Sequence, residues 1–270
     1  MLGSLTRRLG HWRPEPWRSA GTARVLVLAV HPDDEIGCAG TLLLHRRAGD
    51  AVEAAYVTDG RGSRAGGLSP DQMAERRRTE AVNASALLDA GFHWLGLREW
   101  EWAESDLVPR LRTLLRELRP QIVYAPSCID FHPEHLRTAR ALATALDAGS
   151  PAVIRAFPMQ VPLTPVLVSH VASVEAVEAE LRRAMQCYAS QLGNIERALR
   201  AKRYAARLYG RGVLAEEFWQ VSAEAYRRIH SSVAVQDGRF RGLRARPFSD
   251  PAAYLTGLAR RRELRRMAAE

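Results

Sequence analysis

An α/β fold, with a mostly parallel sheet between two layers of helix in a Rossmann-like three-layer sandwich, is the architecture this sequence predicts. Three observations carry the expectation. Short apolar, β-prone runs alternate with helix-like segments, and βαβ alternation builds parallel sheets through right-handed crossovers. The chain is 270 residues long, 47% hydrophobic and 26% charged, enough to bury a core and not excessive for one α/β unit. Charged clusters stand directly after two of the apolar runs, and in an open parallel sheet ligands bind at the carboxyl ends of the strands.

In order, residues 1–22 are basic and carry Trp12, Trp17, Pro14 and Pro16, reading as an extended lead-in that packs on the domain. Residues 24–30 and 52–57 read as strands, with a helix over 39–48 between them. Asp59-Gly60-Arg61-Gly62-Ser63-Arg64-Ala65-Gly66-Gly67 is a glycine-rich loop, read either as a plain connection or as a rim segment in which Arg61 or Arg64 binds a substrate hydroxyl or anionic group. A helix over 70–90 starts at Ser69-Pro70, a capping residue followed by proline at the first position. Its Arg77 and Glu80 are expected to be structural partners. Phe92-His93-Trp94-Leu95 is a short strand, and Trp100-Glu101-Trp102 follows in a loop, as a core lid or a sugar-stacking platform. A helix over 105–118, a strand over 121–125, a helix over 135–146 and strands near 152–157 and 165–171 complete the alternation. Prolines at 158, 162 and 165 place the last region at a sheet edge or twisted away from the sheet. Residues 174–230 read as helical, broken at Gly193 and at Gly210-Arg211-Gly212. The divisions expected are 1–22 as lead-in, 23–235 as the main domain, and 236–270 as an arginine-rich tail with an amphipathic helix.

Composition excludes several classes. No run of about 18 apolar residues exists, so no membrane span is expected, and the N-terminal stretch lacks an apolar core for a secretory signal. Cys38, Cys128 and Cys187 are widely spaced and form neither a disulfide framework nor a CxxC pattern, which fits a reducing cytoplasm. The formal charge is +9, carried mostly by arginine. It reads as a solvated surface, or as attraction to an anionic substrate or membrane. No nucleic-acid motif accompanies it.

The chemistry concentrates in Val30-His31-Pro32-Asp33-Asp34-Glu35 and Asp130-Phe131-His132-Pro133-Glu134-His135. An imidazole and a carboxylate are two thirds of a catalytic zinc site, which has three protein ligands and one open position. Of eight histidines only His132 and His135 stand close together, each cluster sits at a strand exit, and neighbouring strands would bring the loops into contact. Spacing alone does not choose between Asp33 and Asp34 as the ligand.

These motifs, with Thr58-Asp59-Gly60, Arg77-Arg78-Thr79-Glu80-Ala81 and weaker echoes in Tyr188-Ala189-Ser190-Gln191 and Glu216-Glu217-Phe218, resemble the LmbE/PIG-L family of zinc-dependent N-deacetylases over roughly residues 24–220. The resemblance implies removal of an acetyl or other acyl group from an amino-sugar conjugate. It implies His31, Asp34 and His135 as ligands of Zn2+, in a donor set that Fe2+ or manganese would also accept. Asp33 is left free as the general base that takes a proton from metal-activated water and returns it to the departing amine. His132, in its charged form, is expected to donate to the oxyanion. Glu134 stands where the family usually has aspartate supporting the histidine at 132, and Asp130 is expected to hold the loop. The substrate expected is an N-acylated amino-sugar conjugate, anionic in view of the charge. Self-association and contact of the basic tail with an anionic bilayer are further partner readings, and nucleic acid is not one. Two competing readings are a metal-binding carbohydrate-recognition protein without turnover, and a nucleotide-binding module with magnesium on Asp33 and Asp34. The second ranks last, because an acidic loop repels phosphate.

Overall fold

The computed structural model describes residues 14–19, 21–163, 166–232, 235 and 251–269. The expectations for residues 1–13, Trp12 among them, and for Arg239, Arg241, Arg244 and Arg246 lie outside the described residues, while Trp17 of the lead-in packs on the domain, its indole donating to the Tyr124 hydroxyl at 3.2 Å. Eight strands form one sheet: β1 (Glu15–Pro16), β2 (Arg24–Ala29), β3 (Ala51–Thr58), β4 (Gly91–Leu97), β5 (Ile122–Ala125), β6 (Val153–Ala156), β7 (His170–Ser173) and β8 (Ala215–Ser222), in the order β1-β7-β8-β6-β5-β2-β3-β4. Pairing is parallel except where β8 meets β6 and β7. The main helices are α1 (Ala39–Ala48), α2 (Pro70–Leu87), α3 (Glu104–Leu118), α4 (Pro133–Ala145), α5 (Glu178–Gln186), α6 (Leu192–Tyr209), α7 (Ala223–Ser231) and α8 (Pro251–Ala269).

Burial on both faces explains the apolar strand runs. In β2, Leu26 and Leu28 enter a core shared with α3, α4, α7 and α8, while Val25, Val27 and Ala29 enter a core shared with α1, α2, α5 and α6. Strand β2 lies between β3 and β5, so the chain leaves β2 toward one side and returns at β5 on the other. That is a topological switch point, where the loops after two adjacent strands diverge and open a crevice. The two histidine motifs are those loops.

The expected helix start at Ser69 is present as a capping box, in which the Ser69 side chain accepts from the backbone of Gln72 and the Gln72 side chain accepts from the backbone of Ser69. The expected helical run over 174–230 is corrected: it contains strand β8. Glu216 and Glu217 obscure it, because glutamate is depleted in strands. Here Glu216 is buried, accepting from the backbone of Gly40 and Thr41 and pairing with Lys202, while Glu217 accepts from the backbone of Leu163. In the tail, α8 packs on α7 and buries Leu258, Arg261 and Leu264, so these positions are occupied within the chain.

Candidate metal centre

The loop after β2 turns sharply at Asp33, whose φ of 119° is unusual for a residue with a side chain. The turn carries the Asp34 carboxylate back to accept from the His31 backbone at 2.7 Å. The loop after β5 ends at α4, whose first turn starts with Pro133 and is capped by His132: its Nδ1 accepts from the Glu134 backbone at 3.3 Å. His135 then lies in the first turn of the helix, facing the first loop.

Three donor atoms meet. His31 Nδ1 is 3.3 Å from Asp34 Oδ2, His135 Nε2 is 3.4 Å from the same oxygen, and the two nitrogens are 3.2 Å apart. Zinc bonds of about 2.0–2.1 Å in a tetrahedron place donor atoms about 3.3 Å from one another. The triangle is therefore one face of such a site, with the fourth position left for substrate or water.

Each ring nitrogen turned away from the triangle meets a carboxylate. His31 Nε2 is 2.9 Å from Glu134 Oε2 and 3.6 Å from Glu99 Oε1, and His135 Nδ1 is 3.1 Å from Asp130 Oδ2. The His31–Glu134 hydrogen bond fixes the tautomer that presents the other nitrogen to a metal, while Asp130 faces His135 as a close counter-charge. Burial opposes charge on both rings, yet Asp34 and Glu134 hold His31 at about 9, and Asp34 and Asp130 hold His135 at about 10. So much buried carboxylate calls for positive charge at this spot, which a divalent cation supplies. The donor set fits zinc, iron or manganese. His132 also brings a ring nitrogen within 4.8 Å of nitrogens on His31 and His135, but its Nδ1 is engaged as the helix cap.

Two expectations need correcting. Glu134 does not support His132 through its carboxylate. Its extra methylene lets Oε2 reach His31, while Oε1 accepts from the Trp100 backbone at 2.9 Å and from the Trp102 indole. His132 is not held in its charged form: burial, then the charges of His135 and His31, lower its pKa to about 4. With Nδ1 accepting, its donor is the Nε2–H of a neutral ring.

Asp33 is fully engaged. Arg77 donates to Oδ1 at 2.6 Å and Asn194 donates to Oδ2 at 2.8 Å. Burial raises its pKa, against the opposing charge of Arg77. Arg77 thus serves Asp33 rather than Glu80, which pairs with Arg76 and accepts from Ser190. Next to it, Glu35 is wholly buried, pushed up to about 8 by burial, and accepts from the Tyr188 hydroxyl.

Arg61 is not free for substrate. Asp59 holds it at 2.7 Å and Asp71 at 2.8 Å, tying the loop to the start of α2. Arg64 is exposed at the loop's edge. The loop passes close beneath Glu99: the Gly62 backbone donates to Oε2 at 2.6 Å, and a Cβ at Gly62 would fall 2.8 Å from that carboxylate. Of the two loop tryptophans, Trp102 is the core lid, and Trp100 is 54% exposed with its ring 5.0 Å from that of His132. Glu99, Arg77 and Asn194 join the site without having been expected there. Glu99 carries a findable signal, since it too stands just past a strand end. Asn194, on α6, stands three residues past the weak echo Tyr188-Ala189-Ser190-Gln191 and is not part of it.

Residues 26–146 match the family model described as PIG-L, GlcNAc-PI de-N-acetylase. The matched span holds both histidine motifs. Among solved structures, N,N'-diacetylchitobiose deacetylase from Pyrococcus horikoshii is 21% identical, with 76% of this chain and 86% of that chain covered and a TM-score of 0.65. The conserved protein TT1542 from Thermus thermophilus is 27% identical over 73% of this chain and 94% of that one, with a TM-score of 0.60. The 4-carboxy-2-hydroxymuconate hydratase GalB from Pseudomonas putida KT2440 is 22% identical, with 73% and 95% covered and a TM-score of 0.60. One fold thus serves a deacetylase and a hydratase, so the reaction of this chain has to be argued from its site.

Proposed function

We propose that this chain is a metal-dependent N-deacetylase acting on an N-acylated amino-sugar conjugate. The observation that carries the reading is the triangle of His31, Asp34 and His135, backed on each imidazole by a carboxylate and set in the span that matches the PIG-L family model. These three residues would hold the cation, which when bound polarises the acyl carbonyl and makes water acidic enough to be activated near neutral pH.

The chain's own residues supply the rest. Glu134 and Asp130 hold the two imidazoles in the orientation that binds. Asp33, fixed between Arg77 and Asn194, takes the proton of the attacking water on its carboxylate and returns it to the departing amine, so that acetate and a free amine result. The neutral His132 donates its Nε2–H to the oxygen on which charge develops. Trp100, exposed beside His132, offers an apolar ring on which a sugar face can rest.

Acetate release from a panel of N-acetylglucosamine conjugates tests the reading. Wild type is expected to turn over, and Asp33→Asn to lose about 10²- to 10⁴-fold in kcat, the range for a positioned acid–base group, while keeping its metal. Metal-loaded protein that binds such sugars and releases no acetate would establish the recognition-only alternative.

A further inference from the structure

At the sheet edge formed by β1, β7, β8 and β6 lies a cavity of about 400 Å³ lined by Glu15, Pro16, Arg18, Arg155, His170 and Gln220. It shares no residue with the metal centre. Arg155, on β6, is 93% withdrawn from solvent. A guanidinium taken out of water is costly unless a counter-charge meets it.

The partners of Arg155 are neutral. Its Nε donates to Gln220 Oε1 at 2.9 Å and its Nη1 donates to the Tyr124 hydroxyl at 3.0 Å. Burial pushes the Tyr124 phenol up, so it keeps its proton and donates to His45 Nε2 at 2.9 Å. His45 in turn donates from Nδ1 to Asp50 Oδ2 at 2.5 Å. Asp50 therefore stands two neutral rings away from Arg155, and is already bonded to the Ser19 hydroxyl and the Ala23 backbone. Glu15 has a side chain 79% exposed and faces His170 at 3.5 Å. Among the described residues no ion pair forms on Arg155. Its Nη2 has no hydrogen-bond partner among the described residues, and Arg18, a second cation, stands on the same wall.

We propose that this cavity is a second binding site, for a small molecule carrying an oxyanion group, phosphate or carboxylate. The anion pairs with Arg155 and Arg18, while Gln220 and His170 offer neutral hydrogen-bonding groups beside it. Planar guanidinium groups suit either oxyanion. This site is independent of the proposed deacetylation.

The test is anion titration of the full chain by calorimetry and thermal unfolding. Inorganic phosphate and acetate are the two probes, with chloride at matched ionic strength as the blank. A saturable rise in Tm with phosphate, or with acetate, is expected, and whichever anion saturates assigns the group. The effect persists in chelator-treated protein, which separates it from anions held at a metal. Affinity is expected to fall about tenfold or more in Arg18→Gln, the scale of one charged hydrogen bond, and binding to vanish in Arg155→Met. Arg18 is exposed, so its variant decides the matter even if Arg155→Met does not fold. No saturable effect of either anion in wild type overturns the proposal, as does equal affinity in wild type and Arg18→Gln.

Discussion

Exchanging Glu134 for glutamine perturbs the site at one atom. Glu134 Oε1 accepts from the Trp100 backbone and the Trp102 indole, and Oε2 meets His31 Nε2 at 2.9 Å. In Glu134→Gln the amide oxygen stays with the two N–H donors of the tryptophans, because the amide nitrogen cannot accept from them. The NH2 is then left facing His31, which must accept on Nε2 and carry its proton on Nδ1. Nδ1 is the nitrogen that points at Asp34 and His135. A same-sized substitution thus turns the wrong tautomer toward the cation. Losing such a supporting group costs about 10- to 100-fold in metal affinity, or about 1.4–2.7 kcal/mol. Competition with a chromophoric chelator measures it, with thermal unfolding in chelator showing that the fold is kept. An unchanged metal Kd in a folded Glu134→Gln protein would refute the pairing of Glu134 with His31.

Trp100→Ala is expected to raise KM for an N-acetyl amino sugar several-fold while leaving kcat near wild type, since the indole is exposed beside the site and holds no reacting atom; steady-state kinetics that show kcat falling instead would count against a platform role. Stability is expected to fall with acid through His230, which burial and then the charge of Arg140 lower to about 3. The fold favours its neutral form, so this contribution is complete above the unfolded value of about 6.5 and is lost as pH falls toward 3; between pH 7 and 5 it amounts to about 2 kcal/mol. Urea unfolding at both pH values should show that loss shrinking by about that amount in His230→Gln, and an identical loss in both proteins would remove His230 as its source.

The strands buried on both faces were legible because apolar runs bounded by charge at their exits are a local signal, and the order of β2, α1 and β3 follows from it. Strand β8 was not, because Glu216 and Glu217 are tolerated there only by groups far away in sequence, Lys202, Gly40, Thr41 and Leu163. The motifs at His31 and His135 stood out as clusters of uncommon charge. What each carboxylate supports did not, since a one-methylene difference at Glu134 decides which histidine it reaches. The same holds for Arg61 and Arg77: the sequence shows an arginine, and only the fold shows which acid has already taken it.

X-ray absorption at the metal edge, with metal content per chain, tests the three-ligand centre most directly. One equivalent of a divalent metal is expected, with two imidazole nitrogens and carboxylate oxygen at about 2.0–2.2 Å, and with the metal lost in Asp34→Ala and in His135→Ala. Full metal retention in both variants, or a first shell containing sulfur, would contradict it.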